Sequence, residues 1–456
     1  MRFASGGKKR RMTRLGALVA CSAIVVACGS RSGSSDETTP AKRPALVSRS
    51  DAGAPTETAP KPPDFPKTAS LDAFGEGERI ADLAAIGFAD RMLLAWVTYV
   101  DPGLVLPRKA GGARRAGPAA PASPARKDGA SVMVRSLDSG AEALTEPKLI
   151  AGKADSVGGV ALARGPGSQG EVGLVWVGKE GGLGQVFMAR LSSSGDKQVQ
   201  KQLTRSKGSC SDVALMQAGE GWIAGWLESR EGSVEVYAAK VSRDLRLVGT
   251  PRRVAQTKGE ASELRLLARP EDIVVAWAEV RRETMTSGVF LARLSSGELA
   301  IRGDPAPVVL SPGQARAPEL ARVEDGVVLG WVQDASGGGK ERSAQTRTVW
   351  LTRLDAAARS SGEPLRVPLA ADASSVALDC ERACRIVVPG AEKGELVLYG
   401  FPFDGARVAG APARLATIGG VSTEDTSPLL VGDWLFFAED NLHGGGRIRK
   451  AKIAWH

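Results

Sequence analysis

Apolar residues in this chain fall in short continuous runs, and the runs come in pairs. The clearest pair spans Asp272 to Leu299: IVVAWAE ending at Glu279, a polar loop, then VFLARL ending at Leu294. Relatives of the first run are LLAWVTY, GLVWVGK, IAGWLE, VVLGWVQ, IVVPGAE and WLFFAE, ending at Tyr99, Lys179, Glu228, Gln333, Glu392 and Glu439. An aromatic register runs through them at Trp96, Trp176, Trp226, Trp277, Trp331 and Phe437, with Gly390 as the exception. Relatives of the second run end at Leu137, Leu191, Val241, Leu354, Pro402 and Ile453. The second runs recur at steps of 54, 50, 53, 60, 48 and 51 residues. Such a period marks a repeat architecture.

Each unit also carries an apolar segment before the first run and an extended one after the second, joined by Gly-, Ser- and Asp-rich turns. That predicts four short strands per unit. The runs are rich in Val, Ile, Leu and Ala rather than alternating, as in sheets covered on both faces. One small sheet cannot bury two apolar faces, whereas seven arranged radially can. The pattern therefore predicts an all-β chain, a seven-bladed β-propeller of four-stranded antiparallel blades. The seventh unit ends at its third strand. Pro66 to Phe74 is unassigned and is expected to supply the missing outer strand, closing the ring.

The first 27 residues read as an export signal, with Lys8, Lys9, Arg10, Arg11 and Arg14 ahead of an apolar stretch from Leu15 to Ala27. That stretch is too short to span a bilayer. Val25-Val26-Ala27-Cys28 resembles the lipobox of bacterial lipoproteins. The resemblance implies acylation, with palmitate-type chains, of Cys28 as the mature N-terminus. Leu18-Val19-Ala20-Cys21 fits the motif locally but would leave a shorter apolar core. Gly29 rather than Asp after the Cys favours the outer membrane, facing periplasm or surface. Residues 28–65 are Ser-, Thr-, Pro- and Lys-rich and are expected to be a disordered tether. The propeller is expected over 66–456.

Charge refines this picture. The formal net charge is +9. Removing the six basic residues of the signal leaves +3. Setting aside the low-complexity stretch 102–127, with six basic residues and no acid, leaves −3. The body is mildly acidic, which argues against nucleic acid as a partner. Residues 102–127 read as a tolerated surface insertion in preference to a basic arm for anionic surfaces.

Outside the signal stand Cys210, Cys380 and Cys384. Cys380 and Cys384 flank a three-residue turn in an exported chain, and a disulfide is expected between them. Only two His occur, His443 and His456. Triads built on His are thereby disfavoured, and no G-x-S-x-G, Walker loop or zinc-ligand spacing is present. The signatures of WD40, kelch and sialidase propellers are also absent. From Ile80 to Ile453 the chain resembles the broad class of bacterial exported, lipid-anchored propellers with a V-x-x-A-R-L third strand. That resemblance implies a fold and an address.

Aligning the copies produces two acidic positions. Asp82, Asp212, Glu263 and Glu319 open the innermost strands, with Gly159, Ser375 and Ser427 in the other copies. Glu228, Glu279, Glu392 and Glu439 close the second strands. Both sets belong at one face of the ring, around the channel mouth. Either they pair locally with Arg and Lys, or they form an acidic mouth for a ligand or divalent cation. No other cofactor is implied. The expected function is a non-enzymatic binding or scaffold module of the cell envelope, with an envelope protein or glycan as partner. The alternative is an envelope polysaccharide hydrolase or lyase using carboxylates at the mouth.

Overall fold

The computed structural model describes residues 69–73, 78–100, 129–154, 156–167, 170–180, 182–230, 232–311, 313–323, 326–334, 347–369, 371–380, 384–392, 395–403, 408, 412–418, 427–439 and 445–453. The expected export signal, Cys28, the expected tether, the 102–127 stretch, His443 and His456 lie outside them.

The chain is a seven-bladed β-propeller. Blade one runs from Glu78 to Ala154, blade two from Ser156 to Gln202, blade three from Ser209 to Gln256 and blade four from Glu260 to Ser311. Blade five runs from Ala315 to Arg366 and blade six from Asp372 to Ile418. In blade six the innermost strand is broken into Asp372–Ala373 and Ala377–Asp379, both paired with the second strand. Within every blade neighbouring strands are antiparallel. The first strands of successive blades contact one another all the way round, blade seven to blade one included.

Blade seven is composite. Its three inner strands lie between Leu429 and Lys452, and its outer strand is Ala69–Ala73, antiparallel to Arg447–Lys452. The predicted closure is thus present, and it matters energetically. Without it the last blade would present an open edge and uncover part of its apolar face.

The aromatic register is the core of each blade. Trp96, Trp176, Trp226, Trp277 and Trp331 are at most 2% exposed. On the neighbouring strand Trp176 meets Phe187, Trp226 meets Tyr237 and Trp277 meets Phe290 as stacked pairs. Such cross-strand aromatic pairs fix the strand register as well as filling volume. Blade six departs from the register because it has no room. A Cβ on Gly390 would lie 2.8 Å from the Cβ of Ala371. The apolar clusters run from one blade into the next, so the blades share their cores.

Cys380 and Cys384 form a disulfide across the turn leading into the second strand of blade six. Cys210 is buried, and burial pushes its thiol up to about 11, so it stays protonated and unreactive.

Candidate active site on the channel wall

A bulge shapes the innermost strand of the early blades. Pairing with the second strand slips by one residue just before the position opposite the tryptophan, between Gly158 and Val160 and between Ser211 and Val213. The bulged residue adopts left-handed backbone at Gly159, Asp212, Glu263 and Ala317, with φ of 50°, 46°, 59° and 51°. Gly takes this conformation without cost, while a non-Gly residue needs compensating contacts.

Those contacts are made by the acidic side chains of the repeat. Asp82 Oδ2 accepts the Val160 N–H of the next blade at 2.7 Å, and its Oδ1 accepts the Leu83 N–H at 2.8 Å. Asp212 Oδ2 accepts the Leu264 N–H of blade four at 3.0 Å. Glu263 Oε2 accepts the Ala317 N–H of blade five at 2.6 Å. The last clasp falls one residue earlier because the next position is Pro318, which has no N–H; the longer glutamate reaches the amide before it. Three carboxylates thus bind successive blades through backbone amides.

Not every expected member holds its place. The residue at the bulge of blade five is Ala317, and Glu319 lies two residues further on, pairing with Arg265 at 2.8 Å. Counting back 14 residues from Trp96, Trp226, Trp277 and Trp331 gives Asp82, Asp212, Glu263 and Ala317, so Glu319 lies two residues outside the repeat position. Ser375 is buried and Ser427 half-buried.

Gly159 breaks the run of clasps and lets the backbone of blade three approach closely. A Cβ there would stand 3.4 Å from the Cα of Asp212, and the amide bound by Asp82 belongs to the adjoining Val160. Asp82 and Asp212 therefore flank the same glycine. A Cβ on neighbouring Gly158 would meet no atom within 4 Å. The wall is thus open at Gly158, on the strand between those that carry the two aspartates.

Asp82, Asp212, Glu263 and Arg265 are hemmed in by protein yet partly solvent-accessible, as befits the wall of a narrow channel. Burial pushes Asp82 up to about 6, with the Asp212 charge adding to it against the pull of the two amides and Arg265. Burial likewise raises Asp212 and Glu263 above the ordinary carboxylate range. Burial opposes the Arg265 charge, but Glu319, Asp212 and Glu263 outweigh it and hold the guanidinium above its usual value. Arg265 was missed in the sequence. The signal was present: it is one charged residue inside the apolar run ELRLLA.

The second acidic set lies further out at the same face. Glu228, Glu279 and Gln333 each stand beside the indole N–H of the register tryptophan two residues earlier, at 3.4, 3.5 and 3.2 Å. Glu228 also binds Arg230 and the Ser206 hydroxyl, and Glu279 binds Arg281 at 2.8 Å. Glu392 accepts the Tyr399 hydroxyl at 2.6 Å, and Glu439 pairs with Arg449 at 3.4 Å. Among the described residues, no group of three His, Cys, Asp or Glu is gathered so as to hold a metal ion.

No protein-family model matches the chain, and no curated protein does. Solved structures do match. The Penicillium chrysogenum alpha-L-arabinanase complexed with arabinobiose is 12% identical, with 64% of this chain and 92% of that chain covered and a TM-score of 0.45. The GH93 alpha-L-arabinofuranosidase of Fusarium graminearum with arabinobiose is 10% identical, covering 83% and 98%, with a TM-score of 0.44. A puromycin-hydrolyzing peptidase of Mycobacterium tuberculosis is 12% identical, covering 85% of this chain and 54% of that chain, with a TM-score of 0.50. At such identity the likeness shows the fold alone. It also corrects one expectation. The non-enzymatic scaffold leaned on what propellers usually do, and the like-folded chains found include ones named an arabinanase and an arabinofuranosidase. That support is gone, and the reaction has to be argued from the residues.

Proposed function

We propose that this protein is a polysaccharide hydrolase of the bacterial cell envelope, working at the channel notch between Asp82 and Asp212. The observation that carries this reading is the pair itself: two desolvated carboxyls, coupled through space, on the strands either side of the one that is open at Gly158. Like charges in such a place resist ionising together, so one keeps its proton while the other loses it. Asp82 gives its proton to the leaving glycosidic oxygen. Asp212 takes a proton from the water that adds to the anomeric carbon. The proton count closes, since Asp212 gains the proton that Asp82 gives up and exchange with solvent resets the pair. The amides of Leu83 and Val160 fix the Asp82 carboxyl and leave each oxygen a second lone pair. Arg265 balances the ionised member.

The address follows from the sequence. A lipobox Cys behind a basic head supports acylation of Cys28, and Gly29 after it supports the outer membrane. The substrate class is accordingly a glycan met at the envelope.

The test uses the mature chain carrying Cys28→Ser, assayed for reducing-end release on a panel of neutral and acidic polysaccharides. Hydrolysis of at least one is expected, with Asp82→Asn and Asp212→Asn each lowering kcat by a hundredfold or more, a general-acid or general-base effect of about 10². Undiminished turnover in both variants would overturn the assignment.

A further inference from the structure

Two clefts lie side by side toward the rim of blades two to four. The first, about 520 Å³, is lined by Arg205, Arg230, Glu228, Glu235, Tyr237 and Arg253 among others. The second, about 450 Å³, includes Arg253 again with Lys258, Glu279, Arg281 and Phe290. Both sizes suit a sugar residue. Glu228 lies opposite Cys210, beside Ser211 and the Asp212 bulge, so the clefts open at the same face as the notch.

The two clefts are built alike. In each, a register tryptophan stacks on the ring of the third strand, and a guanidinium lies over that ring. Arg230 stands 5.8 Å from the Tyr237 centroid and Arg281 stands 4.7 Å from that of Phe290. A buried glutamate holds each arginine there: Glu228 for Arg230 and Glu279 for Arg281. Glu235 holds Arg253 at 2.8 Å and also accepts the Tyr237 hydroxyl at 2.5 Å. The negative charge is inside, with Glu228, Glu235 and Glu279 exposed by 2%, 6% and 2%. The positive charge is outside, because Arg205, Arg230, Arg253 and Lys258 are exposed. An incoming molecule meets cationic groups and the hydroxyls of Ser206 and Thr250 rather than carboxylates.

The ring faces also restrict the ligand. Tyr237 and Phe290 already carry a tryptophan and a guanidinium, so guanidiniums rather than bare rings present themselves. Single-stranded nucleic acid needs bare rings for base stacking. Planar guanidinium forks match planar carboxylates. We propose that the paired rim clefts are subsites for a carboxylate-bearing (uronic acid) polysaccharide, which they lead toward the channel notch. This rests on the hydrolase reading and names its substrate class.

The experiment is isothermal titration of the mature lipidated protein in neutral detergent with polygalacturonate, neutral arabinan and single-stranded DNA. Polygalacturonate is expected to bind best, and more weakly as salt rises. Arg205→Ser combined with Lys258→Ser keeps every buried glutamate paired and should weaken polygalacturonate at least tenfold. The melting temperature of that variant should be unchanged, which separates lost docking from lost folding. Arg230→Lys with Arg281→Lys keeps the charge but loses the fork, and should also weaken binding. Equal binding of arabinan and polygalacturonate, indifference to both double variants, or tighter binding of DNA would overturn the proposal. Arginine-dependent polygalacturonate binding without hydrolysis of any glycan would uphold the docking clefts and remove the hydrolase. Hydrolysis without arginine dependence would do the reverse.

Discussion

The Asp82 carboxyl titrates near 6 in the folded chain against an ordinary 3.8, and the sign of the effect is fixed. A carboxyl raised on folding favours the protonated native state. Its contribution is full below pH 3.8 and is lost as pH rises through 6. The displacement is worth about 3 kcal/mol. The melting temperature should therefore fall between pH 4 and pH 6.5, and Asp82→Asn should flatten that slope. Thermal melts across this window in both proteins check it; parallel slopes would mean that Asp82 ionises freely. At the same scale, the acidic repeat was legible but its purpose was not. Asp and Glu recurring at one position are visible in the sequence. That Asp82, Asp212 and Glu263 each hold a backbone amide of the next blade requires the bulge, and the bulge requires the register.

At the scale of the element, Ala69–Ala73 completes blade seven. Leu71 packs with Phe436, Ile448 and residues of blade one such as Ile80 and Trp96. Removing residues 66–74 should cost several kcal/mol, since each large apolar side chain uncovered loses about 1.5–3 kcal/mol. Removing residues 29–60 should leave the melt where it was. Urea unfolding of the two deletions, compared for midpoint and slope, decides the matter; equal midpoints would count against a closing strand that carries load. This strand was legible because the seventh repeat is one strand short. The broken innermost strand of blade six was not, because the interruption between Asp372–Ala373 and Ala377–Asp379 shows only in their pairing with the second strand.

At the scale of the whole molecule, the proposed address rests on residues outside the described ring. No helix among the described residues is long and apolar enough to cross a membrane. The attachment proposed through Cys28 predicts that Cys28→Ser moves the protein from the membrane fraction to the soluble exported fraction, because acyl chains carry the binding. Fractionation at high salt checks this. Persistence of the variant on membranes would require another anchor.

The sequence by itself determined the number of blades, their strand content, the closure and the disulfide. Each follows from a local rule repeated along the chain: apolar runs of strand length, a fixed period, a missing strand at one end, two Cys across a short turn. Tertiary structure alone decided which charges meet. Asp82 and Asp212 lie 130 residues apart in the chain. They flank one glycine only because the intervening blade is bulged there and lacks a side chain. Arg253 belongs to two clefts because it stands on the outer strand of blade three, between them. Periodicity specifies what each blade contains, while the electrostatics of the channel depend on distances between blades, which arise only when the ring closes.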